Sequence, residues 1–514
     1  MIHAYDVAQV RAAEEVLFAR LPDGALMQRA ATGLATTCAQ VLDAARGGVV
    51  GARVVLLVGS GNNGGDALWA GAMLAGRGCR VDALTLSDRV HVDGAQALQR
   101  AGGRLHRWSA ADDVVVRIAS DADLAIDGII GIGGTGGLRP GAAALAGLVS
   151  ESGAILVSVD GPSGVDADTG RVDGAAVRAD VTVTFGCLKP GLVLAPGALH
   201  SGGVRLVDIG LGPVLSGPPV ARVLEGVDVA AWVAEPAADA YKYRRGVVGV
   251  SAGSGAYPGA ALLATSAARR GNVGMVRYLD RGDGIAARVV DHFPDTVIDG
   301  SDPADQSRVG AWACGSGFPG DPSDEPAVTA VLRARVPVVL DAGALSVVAA
   351  SAEVRASIIE RSASGLVTVL TPHDGEFDRL FPGLLAQATG RLAAAETAAA
   401  RLGAVLVLKG PGTVIAVPEG GAFVDTEGTA DLGTAGSGDV LTGLIGALLA
   451  GAWAHGERDP DRLAEAVAAA VWLHGRAGRI AGQAAPVAAT DIAAAVPAAI
   501  RHARFGLEPG GDGS

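Results

Sequence analysis

Cysteine is scarce in this 514-residue chain, and the four present, Cys38, Cys79, Cys187 and Cys314, include no Cys-x-x-Cys pair. That excludes the spacing of a structural zinc site or a disulfide-stapled secreted fold, and it points to a reducing cytoplasm. Charged residues are only 18% of the chain, with a formal net charge of −13. This balance argues against a surface built for nucleic acid or for an anionic membrane. The first residues, Met1-Ile-His-Ala-Tyr-Asp6, lack the basic-then-apolar layout of a secretion signal. The most apolar helical stretch, 440–454, is interrupted by glycines and is short for a bilayer span. There is no tandem repeat, and the 76 glycines follow no period of three, which excludes collagen. A 49% hydrophobic content excludes a disordered chain.

What is present is alternation. Short β-rich apolar runs at 54–58, 81–86, 124–127, 155–160, 181–185 and 204–209 are separated by alanine-rich helical stretches. A second series follows at 247–250, 309–314, 336–341, 366–370 and 405–409. Continuous apolar strands divided by helices predict parallel sheets covered on both faces. The length predicts roughly two to four domains. The Gly- and Pro-rich segment 210–219 reads as a linker, which places a boundary near 212–225. The expected domains are 1–215 and 226–505, both α/β, and the polar, glycine-rich tail 506–514 is expected to be disordered.

Ligands of such sheets sit at the carboxyl ends of strands, so the residues just past each run are the informative ones. In the first half these are Gly59-Ser-Gly-Asn-Asn-Gly-Gly-Asp66, Asp127, Gly131-Ile-Gly-Gly-Thr-Gly-Gly137, Asp160-Gly-Pro-Ser163 and Lys189. Gly59, Gly61 and Gly64 satisfy GxGxxG, a weak signal alone. A glycine turn can exist without a ligand, but Asn62, Asn63 and Asp66 add three polar side chains that a turn does not need. Backbone N–H groups beside a helix start suit a phosphate. Asn63, Asp127, Asp160 and Ser163 offer oxygens only, which suits a hard cation rather than zinc. The alternatives are an Asx-turn at Asp127 and a cap at Ser163. Lys189, before Pro190, reads either as a functional ammonium or as an exposed lysine in a turn.

These segments resemble the NAD(P)H-hydrate epimerase family: GSGNNGGD, VDGPSGVDADTG, TFGCLKPG and Leu26-Met-Gln-Arg-Ala-Ala, over roughly 5–210. The resemblance implies a Rossmann-like α/β/α sandwich that binds hydrated NADH or NADPH and a potassium ion. By position, Asn63, Asp127 and Ser163 would hold potassium. Asn62, Asn63, Gly64, Gly65, Asp66, the loop Gly131, Ile132, Gly133, Gly134, Thr135, Gly136 and Gly137, and Asp160 would line the dinucleotide site. Ala67 and Gly161 depart from the family's usual residues. Epimerising C6 of the hydrated ring needs proton traffic or ring opening, so Asp160 and Lys189 are the expected acid–base pair.

The second half carries Ser254–Ala260, Gly315-Ser-Gly317, Asp341-Ala-Gly-Ala-Leu345, Thr371-Pro-His-Asp-Gly-Glu376, Lys409-Gly-Pro-Gly-Thr413 and Ala435-Gly-Ser-Gly-Asp439. A GxGD turn opening a helix stabilises a transferring phosphoryl group through N–H groups and the helix dipole, and its aspartate can accept the proton of an attacking hydroxyl. An aspartate that only complements the dipole is the bland alternative. YPGAALLATSAARRG, TPHDGEFDRL, LKGPGTVIA and AGSGDVLTGLIGALLAG resemble ribokinase-like enzymes, most closely the ADP-dependent NAD(P)H-hydrate dehydratases, over roughly 240–500. By position, Lys409, Gly410, Pro411, Gly412, Thr413 and Gly438 would contact ADP, while Ala260, Gly317, His373 and Asp439 would contact the hydrated cofactor. His373 could instead orient a helix start, and His474 reads as a core or interface histidine. DAGAL for DADAL, GSGFPG for GPGxG, and Arg270-Gly-Asn-Val-Gly274 depart from the family's pattern.

Together the resemblances imply a bifunctional repair enzyme with Asp439 as base toward ADP, potassium in the first half and magnesium in the second, on small-molecule substrates, as a homo-oligomer. The competing readings are a small-alcohol kinase with a non-catalytic nucleotide-binding N-terminal domain, and a hydride-transferring dehydrogenase.

Overall fold

Alternation of strand and helix builds two units, one of residues 2–220 and one of Met1 with the residues from 221 onward. The structure, a computed structural model, describes residues 1–483 and 485–506, so all but the first residue of the expected disordered tail lies outside the described residues.

The first unit begins with a short strand β1 (Ile2–Ala4) and the helices Val7–Phe18 and Ala25–Arg46. Its sheet contains β2 (Arg53–Val58), β3 (Arg80–Thr85), β4 (Arg104–Arg107), β5 (Leu124–Gly128), β6 (Ile155–Val159), β7 (Val181–Phe185) and β8 (Gly203–Val207). The strand order is β4-β3-β2-β5-β6-β7-β8, with parallel pairing throughout. The pleat explains why β2 is apolar along its length. Val54, Leu56 and Val58 join the core under helices Ala25–Arg46 and Asn62–Gly76, while Val55 and Leu57 join the core under Asp113–Ser120 and Pro140–Ser152. The predicted strand at 155–160 stops at Val159 because Asp160 turns into the left-handed region at φ 62.

The second unit contains β9 (Ala221–Val223), β10 (Val247–Ser251), β11 (Met275–Leu279), β12 (Val297–Asp299), β13 (Ala311–Cys314), β14 (Val338–Leu340), β15 (Thr368–Leu370), β16 (Val405–Leu408), β17 (Thr413–Ala416) and β18 (Ala422–Asp425). Here the order runs β9-β18-β17-β16-β15-β14-β13-β10-β11-β12. The central strands are parallel, but β16–β17 and β17–β18 are antiparallel, so this sheet is mixed and not purely parallel as the apolar runs suggest. One large core cluster joins β10 and β16 to helices Pro258–Arg270, Ser437–Ala454, Pro460–Ala481 and Ala489–Phe505, while other buried side chains of the unit, among them Trp312, Leu340 and Phe377, lie outside it. Helix Ser437–Ala454 is apolar and long enough by composition to cross a membrane, and 72% of it is buried inside the unit. It is therefore the core helix that the glycine turn Gly436–Asp439 is built on.

Candidate active sites

In the first unit, close approach of backbone to backbone dictates the glycines. A Cβ on Gly59 would lie 1.9 Å from the Ile129 carbonyl oxygen, and one on Gly64 would lie 2.3 Å from the Gly59 oxygen. The turn after β2 is thereby pressed against the end of β5, with Gly61 capping the helix Asn62–Gly76. A cleft of about 1260 Å³ opens over it, lined by Asn62, Asn63, Asp66, Asp160 and the loop that includes Gly131, Ile132, Gly133, Gly134, Thr135 and Gly137. Gly136 lines a smaller adjoining pocket with Asp160 and Lys189. Gly64 and Gly65 do not line either; they pack against Gly59 and against Met27 and His91.

Asn63, Asp127 and Ser163 come together beneath the cleft. Asp127 is fully buried and accepts four hydrogen bonds: from Ser163 Oγ (2.6 Å) and Ile129 N (3.2 Å) on Oδ1, and from Ser158 Oγ (2.8 Å) and Ser163 N (2.9 Å) on Oδ2. Burial raises its carboxyl and the Ser163 and Ser158 bonds oppose that, with a net upward shift. Asn63 donates Nδ2 to the Val159 carbonyl at 2.5 Å, which leaves its Oδ1 beside Gly131. The donor set is amide, hydroxyl, carbonyl and one carboxylate, and it fits a hard monovalent cation. The Asx-turn at Asp127 is present too, through the Ile129 bond.

Asp160 and Lys189 meet at the ends of β6 and β7. Lys189 is 1% exposed, which removes the reading of an exposed turn lysine. Its ammonium donates to Asp160 Oδ1 (2.5 Å), Thr184 Oγ1 (3.0 Å) and Phe185 O (3.0 Å). Asp160 Oδ1 also accepts from Thr184 Oγ1 and Phe185 N. The left-handed φ of Asp160 costs on the order of 1 kcal/mol, a strain typical of functional positions. Glu14, from helix Val7–Phe18, also lines the cleft, and burial with the Asp160 charge raises its carboxyl. No motif marks Glu14, because it reaches the site from a helix and not from a strand end.

In the second unit the site gathers at the carboxyl ends of β10, β13, β14, β15 and β16. Asp341, 2% exposed, accepts from Thr371 Oγ1 (2.7 Å) and Lys409 Nζ (3.1 Å) on Oδ1 and from Ser316 Oγ (3.1 Å) on Oδ2. Burial opposes its ionisation, but Lys409 and the Thr371 and Thr442 hydroxyls hold it below the usual carboxylate range. Lys409 Nζ lies 3.7 Å from Glu376 Oε2, and a Cβ on Gly438 would sit 3.4 Å from that ammonium. Gly438, Lys409 and Asp341 thus share one face. Asp439 follows in the first turn of helix Ser437–Ala454, and burial with the Asp341 charge raises it to about 6.

The 409–413 turn is closed by Thr413, whose Oγ1 donates to the Gly410 carbonyl (2.9 Å). Arg391, which no motif announced, donates to the Lys409 carbonyl (3.0 Å) and to Asp374 Oδ1 (2.7 Å). It ties this turn to the His373 loop. His373 caps helix Asp374–Leu380, with Nδ1 accepting from Gly375 N and Glu376 N, so the helix-start role is real. Ala260 and Gly317 touch: a Cβ on Gly317 would be 2.5 Å from that of Ala260. His474 is buried and its Nε2 lies 3.1 Å from Ser437 Oγ, inside the GSGD turn. Among the described residues no group of three or more His, Cys, Asp or Glu is arranged to hold a metal.

Two α/β units, each with glycine turns and paired carboxylate and ammonium groups at strand ends, define a two-site enzyme. A family described as YjeF-related protein N-terminus matches residues 23–191, and one described as NAD(P)H-hydrate dehydratase matches 248–498. A bifunctional NAD(P)H-hydrate repair enzyme of Mycobacterium leprae is 43% identical over 99% of this chain and 99% of its own. One of Mycobacterium tuberculosis is 44% identical over 89% of this chain and 91% of its own. Among solved structures, the ADP/ATP-dependent NAD(P)H-hydrate dehydratase of Bacillus subtilis is 31% identical and covers 55% of this chain and 99% of that one, at a TM-score of 0.46. The chain belongs to the bifunctional NAD(P)H-hydrate repair enzymes.

Proposed function

We propose that the chain repairs hydrated nicotinamide cofactors, interconverting R- and S-NAD(P)HX in residues 1–215 and dehydrating the S form with ADP in residues 226–505. The observation that carries this is the coexistence, in a family member matched along its length, of Asp160 with Lys189 at one cleft and Asp439 with Lys409 at a GSGD turn.

In the second site Asp439 takes the proton of the C6 hydroxyl, whose oxygen attacks the β-phosphorus of ADP and releases AMP. Phosphate then leaves C6 with the electron pair, N1 stabilises the cation, and a C5 proton is lost to restore the reduced ring. Lys409 and the N–H groups of Gly436–Gly438 stabilise the transferring phosphoryl charge. Positioning supplies much of the acceleration. Magnesium would enter with the nucleotide phosphates, since the described residues build no all-protein cage. In the first site Asn63, Asp127 and Ser163 would hold potassium, which would supply positive charge under the loop after β5. Lys409 to Thr413 and Gly438 would contact ADP, while Ala260, Gly317 and His373 would contact the hydrate. The reading includes a cytoplasmic location and a homo-oligomer, the latter tested by light scattering.

The test uses separated R and S hydrates with ADP, magnesium and potassium. Recovery of reduced-nicotinamide absorbance from both epimers, with AMP formed in step, is expected. Recovery from S alone removes the epimerase assignment, and a stable phosphate ester as product would establish a small-alcohol kinase.

A further inference from the structure

Opening the hydrated ring at C6 needs one group to take the proton of the C6 hydroxyl and a second to deliver one to N1. Asp160 can take a proton, since all three of its hydrogen bonds fall on Oδ1 and none on Oδ2. Lys189 cannot deliver one. Its ammonium has three N–H bonds, and three protein acceptors within 3.0 Å use them all, in a side chain 1% exposed. It is a fixed counter-ion for Asp160.

A different carboxyl meets the requirement. Asp66, in helix Asn62–Gly76, is 7% exposed and lines the same cleft as Asp160. No hydrogen bond or ion pair reaches its side chain among the described residues, and its carboxyl oxygens are not among the fully buried unpartnered atoms, so they face the cleft. The charged and titratable groups around it on the cleft are Arg11 and Glu14 from helix Val7–Phe18, His91, Arg139 and Asp160. Burial first, then the charges of Asp160 and Glu14, push the Asp66 carboxyl well above its usual range. A protonated Asp66 therefore carries an O–H with no protein acceptor among the described residues, free to reach a ligand in the cleft.

We propose that Asp66 is the catalytic acid of the epimerase site, acting opposite Asp160 as base. This rests on the epimerase reading given above. The Asp160 carboxylate takes the C6 hydroxyl proton, C6–O becomes a carbonyl, and the C6–N1 bond breaks with its electron pair going to N1. The Asp66 carboxyl protonates N1. After the aldehyde turns, N1 attacks its other face, returns a proton to Asp66, and the C6 oxygen recovers the proton from Asp160. Both carboxyls end as they began, and no redox partner is needed.

The test is Asp66→Asn in the full chain, assayed on separated hydrates without ADP, with epimers resolved chromatographically. Asparagine keeps the shape and an N–H donor but has no proton to transfer. The expected result is a fall in epimerisation kcat of about 100-fold or more with KM unchanged. Asp66→Glu is expected to recover part of that loss. Dehydratase activity and the melting curve of the same samples report folding. An unchanged kcat, or a loss confined to KM, overturns the proposal. So does an Asp66→Glu protein that is folded and no better than Asp66→Asn. If the unaltered chain does not interconvert the hydrates, the epimerase reading itself fails; if it does and Asp66→Asn matches it, only this inference falls.

Discussion

Burial and the neighbouring Asp341 charge raise the Asp439 carboxyl to about 6, against the pull of the Ser316 bond and Lys409. A base must be ionised to accept a proton, so kcat/KM for dehydration of the S hydrate should fall with unit slope as pH drops below about 6. Stability runs the other way. Between the ordinary value of 3.8 and about 6 the folded state binds more protons than the unfolded one, so stability declines as pH rises through that window. At neutral pH the ionised carboxylate therefore costs the fold on the order of 3 kcal/mol. Asp439→Asn is expected to reduce dehydration by about 100-fold or more while melting no lower than the parent at pH 7 to 8. Gly343 shows a steric constraint of the same scale. A Cβ there would lie 2.5 Å from the Phe318 carbonyl oxygen and 2.6 Å from the Phe318 Cβ, with Phe318 itself 4% exposed under the Arg281 guanidinium. The two departures from the family's pattern, DAGAL and GSGFPG, are thus one packed unit. Gly343→Asp should lower the unfolding free energy by roughly 1–3 kcal/mol in a denaturant titration, because backbone must shift to admit the side chain.

At the scale of elements, helix Ser437–Ala454 carries the phosphate turn at one end and the main core along its length. Helix Pro460–Ala481 braces that turn through His474 and Ser437. His474→Ala would leave a cavity and an unpaired buried hydroxyl, and should destabilise the larger unit by about 2–4 kcal/mol. The parallel central strands were legible in the sequence because burial on both faces forces unbroken apolar runs, as in β2 and β16. The strands that escaped are short or charged. In β4, Arg104-Leu-His-Arg107 sits at a sheet edge; β11 contains Arg277, which pairs with Asp299 of β12 at 2.9 Å. The hairpin β17–β18 hides behind the glycine turn that opens it. Site residues at strand ends were legible for the same geometric reason that ligands bind there. Glu14 and Arg391 were not, since each enters from a helix remote in sequence and only the folded chain brings it near.

For the molecule as a whole, the expectation is two chemistries with separable machinery. Each unit has its own sheet, its own core and its own carboxylate–ammonium pair. In the full chain, Asp160→Asn should stop epimerisation and leave ADP-dependent recovery of the S hydrate intact. Asp439→Asn should do the reverse, and chromatography of a mixed R and S sample distinguishes the two patterns. Loss of both activities from either change would show that the sites depend on each other.

The saturated ammonium of Lys189 has a practical corollary. Only three of the chain's 41 basic residues are lysines, Lys189, Lys242 and Lys409. Two of them stand in the candidate sites, where a compact three-donor cation fits and a planar guanidinium does not. Lys189 is sealed from solvent and Lys409 is largely so, while Lys242 is exposed. An amine-reactive label added in limiting amount should therefore mark Lys242 ahead of either site lysine. The protein can be tethered to a surface through that side chain without consuming either site lysine.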